Sequence, residues 1–172
     1  VGRLPGRQGG DLQRRQPLHQ RRLRPCDRLV QQRGGGGRER LFGSAPGALV
    51  SAVRAIVALH LRRSPADESL SVIGVPPGHL VVPWSEASVG GYSIARLLGP
   101  AELARIDSRL PRLWPPGPYA LASAAARAAE AVAFGSRRVL HAFVGLDGEG
   151  GPRGRVAAMP VTIGPRGVDT IV

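Results

Sequence analysis

Residues 119–172 read YALASAAARAAEAVAFGSRRVLHAFVGLDGEGGPRGRVAAMPVTIGPRGVDTIV, and the change of period inside this stretch decides the fold class. Tyr119–Phe134 is rich in Ala, has no internal proline and stops at Gly135, a residue that accepts the left-handed conformation of a helix end; the segment predicts a helix. Arg138–Leu146 and Arg155–Gly164 are apolar runs of strand length on either side of the glycine-rich Asp147–Gly151. They predict two antiparallel strands joined by a tight turn. Pro160 removes a backbone donor from the second run and predicts a bulge or an edge position there. Pro165–Gly167 reads as another turn, followed by a last apolar stretch, Val168–Val172.

Upstream, Ala48, Leu49, Ala52, Val53, Ile56, Val57 and Leu59–Leu61 recur at helical spacing. They predict a helix of about 15 residues ending near Arg62–Arg63, whose charges suit the negative end of the helix dipole. Ser64–Glu68 is a polar connection, and Leu70–Val75 reads as a short buried strand. Pro76–Gly78 is a loop, since two prolines remove consecutive donors; Leu80–Trp84 is a second short extended piece. Pro100–Leu113 is a helix opening on proline. Helices come first and an antiparallel hairpin last, so the expected class is α+β: an antiparallel sheet with packed helices.

Composition divides the chain unequally. The 172 residues carry a formal net charge of +12, with no Lys and no Asn, so every fixed positive charge is Arg. With 24 Gly and 16 Pro, this is the signature of a GC-rich gene, and it weakens the inference from high basicity to nucleic-acid binding. Residues 1–42 hold 11 Arg against 3 acids, while residues 43–172 hold 13 Arg against 9 acids. The first segment, rich in Arg, Gly and Pro and poor in apolar residues, is expected to be disordered; 43–172 is expected to be globular. A polyanion-binding role for 1–42 is disfavoured because Phe42 is its only aromatic. Cys26 stands alone, which excludes an internal disulfide and a cysteine-based zinc cluster. No apolar run approaches the roughly 18 residues of a membrane span, and the first 25 residues lack the apolar core of a secretory signal. The expected location is cytoplasmic, and a membrane partner is not expected. The chain starts on Val1 and ends on an apolar run, so it is expected to be a fragment.

Few residues offer chemistry. Gly34–Gly37 follows polar residues rather than a strand, and Gly148–Gly151 sits in a hairpin turn, so neither reads as a dinucleotide fingerprint. A phosphate loop ending in lysine is impossible without Lys. His19 lies in the basic segment; His60, on a helix flank, and His141, inside a strand, read as structural histidines with satisfied hydrogen bonds. His79, placed in a loop after a strand, is the better catalytic candidate. Trp84 and Trp114 read as core or subunit-contact residues, and no metal site is expected.

Several segments, in one order, resemble a known family. Val72-Ile-Gly-Val-Pro-Pro-Gly-His-Leu-Val-Val-Pro83 followed by Trp84-Ser-Glu-Ala-Ser-Val-Gly-Gly91 is similar to the V-I-G-x-H-…-V-P loop and S-x-x-x-x-G of the lactate and malate dehydrogenases. Arg138-Val-Leu140, Gly145–Gly151, Met159–Gly164 and Gly167–Val172 resemble that family's last sheet. Arg40-Leu-Phe-Gly-Ser44 resembles the opening of its substrate half, and Arg24-Pro-Cys-Asp27 its N-P-x-D. The resemblance implies the C-terminal, substrate-binding domain of an NAD-dependent 2-hydroxyacid dehydrogenase, without the nucleotide-binding half.

In that family a histidine exchanges the proton on the substrate oxygen, an aspartate orients it, and an arginine clamps the carboxylate. Carried over by position, the histidine falls on Pro76, the aspartate on Val50 and the arginine on Val53. The family's asparagine beside the cofactor falls on Arg24. His79 and Arg54 are the nearest substitutes, but Arg54 is turned from the Val53 direction by about 100°, one helical step. The resemblance therefore implies no retained catalytic residue, no cofactor bound by this chain, and no dehydrogenase activity by itself. The alternative is a non-catalytic dimerisation or scaffold subunit, as a homodimer or paired with a full-length paralogue, because family members pair through the helix that Ala48–Leu61 resembles.

Overall fold

The computed structural model describes residues 40–146 and 154–172. Two long helices pack together on an antiparallel sheet built mostly from the end of the chain. Helix α1, Ala45–Leu61, begins three residues before the apolar pattern, with Pro46 in its first turn, where a missing donor costs nothing. It ends on Arg62 in the left-handed conformation (φ 51°). The strands that follow are short: β1 Glu68–Ser69, β2 Ile73–Val75, β3 His79–Val81, β4 Ser88–Val89 and β5 Tyr92–Ser93. Helices α2 (Ile94–Leu97), α3 (Pro100–Asp107) and α4 (Pro118–Phe134) lead to β6 (Val139–Leu146), β7 (Arg155–Gly164) and β8 (Gly167–Ile171).

The main sheet runs β3-β2-β7-β6, with β8 also pairing β7; β1-β4-β5 form a second small sheet. Every strand pair in both is antiparallel. The α+β class expected from the sequence is the one observed, and α4 closes on Gly135 (φ 60°) as its sequence requires.

Four local readings are corrected. Leu70–Val75 is not one strand. Glu68–Ser69 pair with β4 and Ile73–Val75 with β3, while Leu70 and Val72 between them are core side chains linking the two sheets. His79 is not in a loop; it opens β3, opposite Val75, and its side chain is exposed. The Pro100–Leu113 helix stops at Asp107, and Pro111, which has no donor, sits in a separate 3₁₀ turn, Leu110–Leu113. Pro160 is neither at an edge nor at the bulge. It lies in the central strand β7 opposite His141, and the register irregularity falls between Thr162 and Ile163. Its missing donor is tolerated because β7 changes neighbours there, from β2 at Ala158 to β8 from Val161.

The core has two parts. Leu49, Val50, Val53 and Val57 of α1 pack with Leu70, Val72, Val82, Ile94, Ile106 and Leu110. Ala131 of α4 packs with Ala142, Val144, Val161 and Ile163 of β6 and β7, and Phe42 joins this second part from outside. Phe42, assigned to the basic segment from composition, thus belongs with the globular part; residues 1–39, with His19, Cys26 and Arg24, lie outside the described residues, as do Asp147–Arg153. Trp84 is half-buried and donates its Nε1–H to the Asp107 carboxylate at 3.0 and 3.1 Å. Trp114 packs edge-on against Phe143, ring centroids 5.7 Å apart. Among the described residues no helix is long and apolar enough to cross a membrane.

Candidate functional site

Two places are candidates: the positions to which the resemblance assigns catalytic groups, and the cavity where this chain has its polar groups. The first is apolar. Val50 and Val53 are 3% and 0% exposed, within the core formed with Leu70, Val72 and Val82. Pro76 is buried in the turn between β2 and β3, and His79 points to solvent three residues on. These positions bring together no imidazole, carboxylate and guanidinium.

The polar groups lie on the neighbouring face of α1. Gly47, Ser51 and Arg54, at helical spacing with Ser44 at the helix start, line a cavity of about 60 Å³. Ser123, Ala124, Arg127 and Ala128 of α4 face them, and Val139–Ala142 of β6 with Ile163 of β7 form the floor. The elements approach closely at Gly47, where a methyl group would just fit in ordinary contact. A methyl group there would already stand 3.5 Å from both the Ala124 methyl and the His141 carbonyl oxygen. Arg54 is turned away from Val53, as the helical step requires, but what it meets there, a second arginine and a histidine, was not legible in sequence.

The electrostatics of this cluster are unusual. His141 is 8% exposed and its Nε2 has no hydrogen-bond partner. It is therefore not the structural histidine with satisfied hydrogen bonds that its place in a strand predicts. Burial first, and the nearby Arg54 charge second, push its pKa down to about 4, so the imidazole is neutral near pH 7. The Arg54 guanidinium is half-buried with its Nε unpartnered; burial lowers its pKa, Glu68 opposes that, and Arg127 adds to it. Glu68, on β1, is 4% exposed, and neither carboxylate oxygen is hydrogen-bonded. Burial raises its pKa to about 7 against the pull of Arg54. His60, by contrast, lies on the surface with Nδ1 2.8 Å from the Ile56 carbonyl.

This trio is not a proton relay. A catalytic histidine needs a pKa near the working pH and a carboxylate on its other nitrogen. His141 is held neutral and feels a cation, Arg54, while Glu68 does not line the cavity. Nor do the described residues fit NAD: all strand pairs are antiparallel, and no glycine-rich strand-to-helix turn aims backbone donors at a pyrophosphate. Among the described residues no His, Cys, Asp and Glu group could hold a metal ion.

The buried acid sets a pH dependence. Below pH 4.5, the ordinary value, Glu68 is protonated whether the chain is folded or not; as the pH rises through about 7 the folded chain must charge a buried group, and stability is lost. His141 runs the other way, with stability present above 6.5 and lost as the pH falls through about 4. Glu68→Gln is expected to raise thermal stability at pH 8 by roughly 1–3 kcal/mol, the size of the charging gap after solvent screening. The gain should shrink as the pH is lowered toward 4.5, which melting curves of both proteins at several pH values would check.

No protein-family model matches the chain. A malate dehydrogenase from Trichormus variabilis is 33% identical over 146 residues, covering 78% of this chain and 44% of that protein. Among solved structures, the malate dehydrogenase from Aeropyrum pernix superposes with a TM-score of 0.78 at 21% identity, covering 86% of this chain and 50% of that one. A lactate dehydrogenase from a Medee basin deep-sea metagenome library gives 0.74 at 19%, covering 84% and 50%. The fold is that of the C-terminal domain of a malate or lactate dehydrogenase. By sequence the chain is a homologue of malate dehydrogenases, whose C-terminal half it matches. It spans about half the length of the relatives it matches.

Proposed function

We propose that this chain is the substrate-side half of a 2-hydroxyacid dehydrogenase fold in which the groups for proton transfer and carboxylate anchoring are replaced, so that it does not itself oxidise malate or lactate with NAD. The observation that carries this reading is the burial of Val50 and Val53 in an apolar core. Oxidation of an alcohol by hydride transfer leaves its hydroxyl proton to be accepted by a base. Proline at position 76 has no basic atom for that step, and the exposed His79 has no carboxylate hydrogen-bonded to it. Valine at position 53 offers no donors to a carboxylate. A positioned general base is worth roughly 10²–10⁴-fold and carboxylate anchoring adds to that, so their joint loss leaves no practical turnover. NAD, which the family uses, would supply the hydride acceptor from the other half of the fold.

The test is absorbance at the NADH band during incubation of the purified chain with NAD and either malate or lactate. A rate equal to that of heat-killed protein is expected. Activity abolished by His79→Ala would overturn the reading and make His79 the base.

A further inference from the structure

We propose that the cavity between α1, α4 and the start of β6 binds a small oxyanion, a carboxylate group or inorganic phosphate, gripped by Arg54, Arg127 and the Nε2–H of His141. The cavity shares Val50 with the preceding site but not Val53, and the anion would be held by Arg54, Arg127 and His141, none of which the preceding reading uses.

The site carries positive charge without an acid of its own. Arg54 and Arg127 both line it, the Arg127 charge disfavours the Arg54 cation, and Glu68, the acid that acts on Arg54, is not among the lining residues. Like charges brought together in a partly buried space are a cost that an anion between them reverses. Two donors are left over. The Arg54 Nε and the His141 Nε2 are both buried and both without a partner, and a buried donor left unmade is the expensive state of a hydrogen bond. His141 is more than nine-tenths buried and belongs to the cavity floor. As a neutral imidazole it can present N–H at Nε2, which suits an acceptor such as an oxyanion.

The hydroxyls sort themselves. Ser51 donates to the Gly47 carbonyl at 2.9 Å, so it offers lone pairs only and is no anion ligand. Ser44 makes no capping bond with its side chain, which leaves its hydroxyl, at the positive end of the 17-residue helix α1, open to the ligand. Val50, Ala124, Ala128 and Ile163 supply apolar walls, where each charge–charge contact is stronger than in water. The volume of about 60 Å³ admits a group of a few heavy atoms and excludes a nucleotide.

The experiment follows the His141 ring proton by NMR in the full chain at pH 7 while sodium phosphate, sodium acetate or, at matched ionic strength, sodium chloride is added. A saturable shift with phosphate, acetate or both, absent with chloride, is expected, and the pattern assigns the site to phosphate, to carboxylates or to oxyanions generally. Arg127→Gln, a change at an exposed position on α4, should weaken binding at least tenfold, and Glu68→Gln, which removes the competing charge, should leave it equal or tighter. No saturable shift with either anion at millimolar concentrations, a shift reproduced by chloride, or one unchanged in Arg127→Gln would overturn the proposal.

Discussion

Arginine in place of Val53 is expected to abolish cooperative folding of the chain. Val53 is 0% exposed, among Leu49, Val57, Leu70, Val72 and Val82, and Glu68, the buried acid near this helix, already acts on Arg54. An arginine there must either bury an unpaired charge or pry α1 from the segment that carries β1 to β5. Each option costs several kcal/mol, in a domain whose total stability is of order 5–15 kcal/mol. Circular dichroism should show loss of the sigmoidal melt. The substitution matters beyond stability, because on the proposed reading it restores the arginine that the resemblance places at this position. A Val53→Arg protein that melts within a few degrees of the parent would mean that the position opens to solvent and that the family's site survives here.

Gly74→Ala is expected to destabilise by about 3–5 kcal/mol, the range of a backbone conflict that cannot relax by a side-chain move. Gly74 has φ +117°, a conformation open to glycine and strained for alanine. A methyl there would sit 2.0 Å from the backbone carbonyl oxygen of His79 across the β2–β3 hairpin. The same residue makes the one pairing of β2 with β7, opposite Ala158. The hairpin that bears Pro76 and His79 would therefore have to part from the sheet. A melting midpoint lowered by well over ten degrees is the expected reading, and an unchanged midpoint would show that the hairpin contributes little to the fold.

The sequence carried the fold well and the cavity poorly, for separate physical reasons. The change from helical to strand patterning between Phe134 and Val139, and the glycine at 135, are local signals, and the structure follows them closely. The β1–β5 region was harder. Leu70 and Val72 are buried by neighbours far along the chain, so a continuous apolar run here does not signify a continuous strand. Pro160 was placed by its missing donor, but whether a donor is missed depends on which strand lies alongside, and that is set by β2 and β8 together.

For the cavity, Arg54 on an otherwise apolar helix was visible, while its meeting with Arg127 and His141 depends on how α1, α4 and β6 pack. One signal was available. Gly47, Ser51 and Arg54 at i, i+4 and i+7 mark a polar stripe on α1, and Ser123 and Arg127 mark a matching pair on α4. Glu68 gave no warning, because a single acid in a polar connection is ordinarily exposed.

The most direct test asks whether the side chains of this half support turnover when a nucleotide-binding half is supplied to it. The nucleotide-binding half of the Aeropyrum pernix malate dehydrogenase would be fused to this chain and, as control, to its own C-terminal half. NADH binding, followed by fluorescence, would establish that both fusions are assembled, and malate oxidation would then be measured in each. If Pro76, Val50 and Val53 occupy the catalytic positions, as proposed, the fusion with this chain should bind NADH yet turn over slower than the control by a factor on the order of 10² or more. A rate close to the control would contradict the account and show that other side chains of this half carry the proton and the carboxylate.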